Sequence, residues 1–431
     1  MRTRNKEGRK AIVILMAVAL GFCSQSIGRA VGQEAQEDDT RSVWQRESLG
    51  GDLWGARSTL EEYGVSAGLG LTQVYQHNLH GGTEAGVGGY AGSYDLETTI
   101  DAGRAVGLEG GQVYMLGEGS TVSSSGVDYR AVSSLFGIND DMGGERALDI
   151  TELWYQHNFW GGHFRIRVGK QDLTNEFICR GQPVAFDANT FAFDETAQFL
   201  NSSLVNNPVI PFPDYALGAV AYAEPVTGWY LSAGGVDADA DPRTSGFETT
   251  FDGDSNFFYA AETGVVPIFD SDGGELPGAY RVGAWHEHKR RNLLNKRGQD
   301  GENTGFYASF NQLLWRETSG EPAQGLGIFG RAGYADPEVS EIETFGSAGL
   351  NYRGLVPGRK EDVVGLGVSH GEVSERAGLT ADYERAAEMY YNAAVTPWLE
   401  ISPMVQWIQN PGASDERGNA WVVGTRVQAN F

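Results

Sequence analysis

The residues best able to do chemistry fall at every second position of short alternating runs. In His163-Phe164-Arg165-Ile166-Arg167-Val168 the two guanidinium groups share one parity, and Phe164, Ile166 and Val168 take the other. A strand sends successive side chains to opposite faces, so Arg165 and Arg167 look to the same side. The same rule puts Glu152, Trp154, Glu262, Arg331, Asn351, Arg353, Glu388, Tyr390, Gln406 and Arg426 on the polar faces of their runs. Together they offer donors and acceptors of both charge signs, with Trp154 and Tyr390 as rigid flat surfaces. That set suits reversible recognition of a solute rich in hydroxyls with weakly apolar ring faces. Strong ion selectivity usually comes from a ring of one sign, whereas this mixture makes a transverse field and suits a neutral solute. The competing role for each charge is to pair with a neighbour and stiffen a wall.

Covalent chemistry has no comparable support. The pattern G-x-S-x-G occurs at Gly64-Val65-Ser66-Ala67-Gly68 and Gly367-Val368-Ser369-His370-Gly371, but both lie in alternating strand runs and not at a strand-to-helix elbow, and Ser, His and acidic residues are scattered, so no catalytic residue is expected. His286-Glu287-His288 puts both imidazoles on one strand face but lacks an evident third ligand, so neither a metal nor a cofactor is expected. Asn201-Ser202-Ser203 is a glycosylation sequon in form only. Lys289-Arg290-Arg291 and Lys296-Arg297 are expected in an external loop, either as a contact for anionic lipopolysaccharide or as a solvated tip.

Composition limits where such runs can sit. The chain has 431 residues and a formal net charge of −25, from 57 acidic against 32 basic residues, which excludes neutralisation of a phosphodiester backbone. Hydrophobic residues at 41% and aromatics at 11% exclude global disorder. The N-terminus reads as a secretory signal: Arg2, Arg4, Lys6, Arg9 and Lys10, then twelve apolar residues from Ala11 to Phe22, then small residues around Gly28 to Gly32. Residues 1–30 hold six basic residues and one Glu, so their removal leaves −30. Cys179 would then be the sole cysteine, without an intramolecular disulfide partner. No later stretch offers the roughly 18 apolar residues that a spanning helix needs. A soluble exported β protein and an outer-membrane barrel remain.

The period of the pattern chooses between them. From Trp421 to Phe431 one parity holds Trp421, Val423, Thr425, Val427, Ala429 and Phe431, and the other holds Gly424, Arg426, Gln428 and Asn430. An alternation of that length with aromatics at both ends matches a tilted strand crossing a bilayer, apolar to lipid and polar to the lumen. Strands are expected near 65–77, 92–102, 111–118, 147–157, 163–171, 215–224, 229–236, 256–266, 279–288, 305–315, 325–335, 344–353, 362–370, 383–395, 398–409 and 421–431. These are sixteen, an even number, as an up-and-down antiparallel barrel requires. The longest connection, 172–214, carries Phe177, Phe186, Phe191, Phe193 and Phe199 and is expected to fold into the lumen as a constriction. Ahead of the barrel, Asp52 is expected to cap a short helix with Leu53, Ala56, Leu60 and Tyr63 on one face and Gly64 as its stop. The expected fold is therefore all-β, a sixteen-stranded antiparallel transmembrane β-barrel with a short N-terminal helix and an inward-folded constriction loop. Its parts are a signal peptide at 1–30, an N-terminal segment at 31–64 and the barrel at 65–431.

Specific stretches add to this reading. Glu388-Met389-Tyr390-Tyr391, Thr396-Pro397-Trp398-Leu399, Ser402-Pro403, Gln406 to Gly412, Val423-Gly424-Thr425-Arg426 and Phe431 occur in order. Upstream stand Gly51 to Leu60, Gly64-Val65, Asn78 with Gly81-Gly82, Leu135 to Asp140, Glu152 to Tyr155 and Val168 to Gln171. This ordered set, from Gly51 to Phe431, resembles the carbohydrate-selective porins, the OprB-like family. The resemblance implies a sixteen-stranded outer-membrane channel for passive diffusion of small sugars, with Glu388 and Arg426 inside its motifs. It implies as partners small carbohydrates and outer-membrane lipid, lipopolysaccharide included, and a monomer or homotrimer. A general non-selective porin and a secreted soluble β protein that binds glycans are the alternatives.

Overall fold

A computed structural model of the chain describes residues 41–122, 126–141, 147–174, 177–192, 198–251, 255–296, 298, 300–317 and 324–431. The expected signal segment, Arg297 and Phe193 lie outside the described residues. The alternating runs form β1 (Val65–Gly82), β2 (Val87–Asp101), β3 (Gly111–Ser120), β4 (Asp149–Phe159), β5 (Phe164–Gln171), β6 (Ala216–Val226) and β7 (Trp229–Asp237). They continue as β8 (Phe257–Val265, resumed at Ile268–Ser271), β9 (Gly274–Asn292), β10 (Asp300–Arg316), β11 (Gly325–Ala335) and β12 (Ile342–Arg353). The last four are β13 (Val363–Val373), β14 (Tyr383–Thr396), β15 (Leu399–Gln409) and β16 (Gly418–Asn430). Each pairs antiparallel with the next, and β16 returns to β1 with Asn430 opposite Gly70 and Val423 opposite His77. The sheet is thus a closed barrel of sixteen strands without an open edge.

Several strand ends differ from the sequence expectation: β1 runs on to Gly82, β2 starts at Val87 and β10 at Asp300, each about five residues beyond the expected bound, and β8 and β9 depart further. Pro267 has no N–H for the ladder and breaks β8, yet the chain resumes pairing, with Ile268 opposite Pro277 and Ser271 opposite Gly274. Two prolines so close together hid this hairpin. At its other end β9 runs on to Asn292, so Lys289, Arg290 and Arg291 belong to the strand and not to the following loop. A register shift between Glu287 and Arg291 marks the place where the wall bends.

The two faces divide as the parity requires. Val282, Phe306, Leu366, Val368, Met389 and Trp421 are exposed, while Arg281, Glu388, Gln406 and Arg426 on the opposite parity are buried. A charged group such as Arg426, only 1% exposed, demands partners, and those partners lie in the loops. At one rim the connections 227–228, 272–273 and 397–398 are two residues long; at the other, 121–148, 172–215 and 238–256 are extended.

The N-terminal helix α1 (Ala56–Glu62) sits beside β1. Its N-cap is Gly55 rather than the expected Asp52, because the chain turns through positive φ at Gly55. Asp52 still serves the first turn: its carboxylate accepts from the Ser58 amide at 2.8 Å and the Ser58 hydroxyl at 2.5 Å. Gly64, at φ 78°, ends the helix as expected. The same segment ties the chain ends to one rim, with Leu49 N donating to Asn430 O at 2.9 Å and Trp398 Nε1 to Val43 O at 2.8 Å.

Candidate functional site

The polar face of the wall is organised around the 172–215 segment, which is more structured than the expected plain loop. It contains a small hairpin, Phe177–Cys179 with Gln182–Val184, and one helical turn, Ser202–Val205. Glu262 on β8 accepts from the amides of Ala185 at 3.0 Å and Asp187 at 2.8 Å, and from the hydroxyls of Tyr307, at 2.8 Å, and Tyr230. Arg331 on β11 donates to the carbonyls of Ala192 at 2.9 Å, Leu204 at 2.8 Å and Asp187 at 3.2 Å. It also pairs with the Asp187 carboxylate at 3.0 Å. Glu388 on β14 accepts from the amides of Leu200 at 2.9 Å and Asn201 at 2.7 Å, and from Gln406 at 3.0 Å. Tyr390 donates to Asn351 at 3.0 Å, and Asn351 in turn to the Phe191 carbonyl at 2.7 Å. Arg426 on β16 reaches Gln198 at 2.8 Å and Asp141 at 2.5 Å. Phe199 packs edge-on against Phe329 and Tyr390, with centroids 5.6 and 5.0 Å apart.

The β4–β5 part of the wall is arranged differently. Glu152 accepts from Trp154 Nε1 at 2.9 Å and from the Asp172 amide at 3.1 Å. The Arg167 guanidinium lies over the Trp154 ring at 4.1 Å and the Phe177 ring at 4.7 Å, and donates to Gln156 at 3.1 Å. Arg165, half-buried, stands over Tyr222 at 5.0 Å. Arg353 is set apart near the short-turn rim, 3.7 Å from Glu361.

A second segment, 126–141, was not expected to join the site. Glu384 on β14 accepts from Ser134 Oγ at 2.5 Å and from the amides of Leu135 at 2.8 Å and Gly412 at 2.6 Å. The Ile138 carbonyl accepts from Gln76 on β1 and Gln406 on β15, each at 2.9 Å, so it bridges the β1–β16 seam. Phe136 meets Phe345 at 5.9 Å. The sequence held a signal for this: Glu384 shares the parity of Glu388, and Leu135 to Ile138 is too apolar for a solvated connection.

Burial tunes the carboxylates of both segments. Asp187 is pushed up to about 6 by desolvation, with Arg331 pulling it back and Glu262 adding to the rise. Asp140 is likewise pushed up to about 6 by burial, reinforced by Asp141 and Asp172. On the outward face of β9, His286 and His288 each approach Glu302 at 3.6 Å. Lys289 pairs with Asp239 at 2.8 Å, and Arg291 with Glu287 at 2.6 Å.

Comparison with known proteins agrees with this architecture. The family model described as carbohydrate-selective porin, OprB family, matches residues 87–431. Porin B of Pseudomonas aeruginosa is 23% identical over 424 residues, covering 88% of this chain and 90% of the relative. The high-pH structure of Pseudomonas putida OprB superposes with a TM-score of 0.75 at 19% identity, over 91% of this chain and 100% of that one. The low-pH structure of the same protein gives 0.56 at 18% identity, over 90% and 99%.

Proposed function

The chain belongs to the OprB family of carbohydrate-selective porins, and from that premise we propose how this outer-membrane channel selects its sugars. The 172–215 segment folds into the lumen as the constriction. One observation carries this: Glu262, Arg331 and Glu388, on three separated strands, bind its backbone near 185–187, 187–204 and 200–201. They do so from the polar parity of the wall, whose other parity is exposed and apolar. A loop held at three points narrows the passage without closing it.

On this reading the candidate residues divide by role. Glu262, Arg331, Glu388, Tyr390, Gln406 and Arg426 hold the constriction in place. Glu152, Trp154, Arg165 and Arg167 meet the sugar, the stacked Trp154 and Arg167 offering a flat face beside charge-assisted donors. Hydrogen bonds to charged groups are worth about 1.5–3 kcal/mol when desolvated and less in a wet passage, so capture is weak and release fast. Saturable flux without trapping follows.

For the exterior we assign lipopolysaccharide as a contact of the long-loop rim, supported by the basic residues at the outer end of β9, Lys289 to Arg291, and by Lys296, with Arg290, Arg291 and Lys296 exposed there. The barrel assembles as a monomer or homotrimer. The three-part division at residues 30 and 64 is part of the same proposal. The test of the channel reading is current blocking in planar bilayers. Sugar should lower conductance saturably, and Arg167→Ala should raise the half-saturating concentration. Conductance unaffected by sugar at any concentration would refute it.

A further inference from the structure

The long-loop mouth holds a cavity of mixed polar and apolar lining, apart from the Trp154 and Arg167 pair. Its volume is about 560 Å³, and its lining includes Arg290, Asn292, Asn303, Glu341, Leu135 and Pro211. The elements that build it are the outer ends of β9 and β10, the approach to β12, and both folded segments, which contribute Leu135 and Pro211. Asn303 is 3% exposed and donates to Ser340 Oγ at 2.8 Å, which fixes that side of the lining. Arg290 and Glu341 are exposed on the cavity lining. Arg291, next to Arg290, is held instead by Glu287 through two bonds of 2.6 and 2.7 Å, which fixes the bend that carries Arg290.

We propose that this cavity is a capture site for a neutral carbohydrate at the outer mouth, where a sugar rests before it meets the constriction. The chemistry matches one sugar ring or two. Arg290 donates to a hydroxyl, Glu341 accepts from one, and Leu135 and Pro211 offer apolar surface to ring C–H groups. A phosphate or other anion would satisfy Arg290 but would face Glu341, which repels it. A cation would leave Arg290 opposed. The mixture therefore favours an uncharged polyol, and a site at the mouth raises the local sugar concentration without slowing passage through the narrow part. The inference rests on the reading of the chain as a sugar channel.

The test uses the full chain in planar bilayers, with sugar-induced current noise recorded for glucose and maltose added to one side at a time. The variant is Arg290→Gln with Glu341→Gln, which removes both charged partners while leaving net charge, and so ion steering, unaltered. From the long-loop side its sugar association rate should fall about fivefold, the loss of roughly one charge-assisted hydrogen bond in a wet site. From the other side it should match the wild type. Equal association rates for variant and wild type from the long-loop side would overturn the capture site, as would loss of sodium phosphate binding in place of sugar binding. A wild-type channel that no sugar blocks from either side would instead sink the sugar reading itself, so the two failures are distinct.

Discussion

Arg331→Ala is the sharpest test of the proposed constriction, because one side chain meets the 172–215 loop at three separate places. Its guanidinium donates to the carbonyls of residues 187, 192 and 204 and pairs with the Asp187 carboxylate at 3.0 Å. Both partners are nearly inaccessible to solvent, at 1% and 4%. Removing one member of a buried pair strands the other, at a cost of about 3–5 kcal/mol. That shifts the balance between docked and released loop by roughly two to three and a half orders of magnitude, at 1.36 kcal/mol per decade. The wall itself should survive, since β11 keeps its backbone ladders to β10 and β12. Single-channel recordings should therefore show a larger and noisier conductance, and liposome assays should show weaker discrimination between monosaccharides and disaccharides. Combining Asp187→Asn with Arg331→Met, which removes both charges, should recover much of the loss. An inserted Arg331→Ala channel with wild-type conductance and size cut-off would mean that the loop does not form the constriction.

Other consequences follow from the same contacts. Asp187 holds a proton at about 6 when docked and at the ordinary carboxylate value of 3.8 when released, so between those values the docked loop binds more protons than the free one. Through Asp187 alone, acidification from pH 7 to 5 should then favour the docked state about tenfold, read as fewer open-loop excursions in current traces, and Asp187→Asn should reduce the dependence to what Asp140, also raised to about 6, contributes. Trp154→Ala should raise the half-saturating sugar concentration several-fold, because it removes the face on which Arg167 lies at 4.1 Å; an unchanged value would move the sugar contact elsewhere. Gly169→Ala should impair assembly, since φ is 135° there and an added Cβ would lie 2.3 Å from Leu153 O and 2.6 Å from Trp154 Cα. A lowered unfolding midpoint in heat-shift gels would register it.

The barrel was legible because a period of two is a local property. Trp421 to Phe431 and Leu399 to Trp407 announce their faces without knowledge of any neighbour, and the structure sets these strands side by side with Trp407 opposite Trp421. Parity also identified Glu262, Arg331, Glu388 and Arg426 as residues of the polar face. Their partners could not be read the same way. A carboxylate on that face looks alike whether it meets a hydroxyl of a solute or two amides of a distant loop, and Glu388 meets the amides 187 and 188 positions away. The 126–141 segment is hidden for a related reason: the Asp128 carboxylate accepts from the amides of Ser134 and Ile138, and the Ile138 carbonyl from Gln76 and Gln406, contacts that no period encodes. Pro267 concealed the continuation of β8, because a residue that cannot donate to a ladder reads as its end.

The central claim is selectivity for carbohydrates rather than passage by size. Flux of labelled glucose and of gluconate, nearly equal in size but different in charge, into liposomes holding the purified chain measures it directly. The account expects glucose flux to saturate with concentration and to exceed that of gluconate well beyond their ratio in free diffusion. Linear, equal fluxes of the two solutes would contradict it.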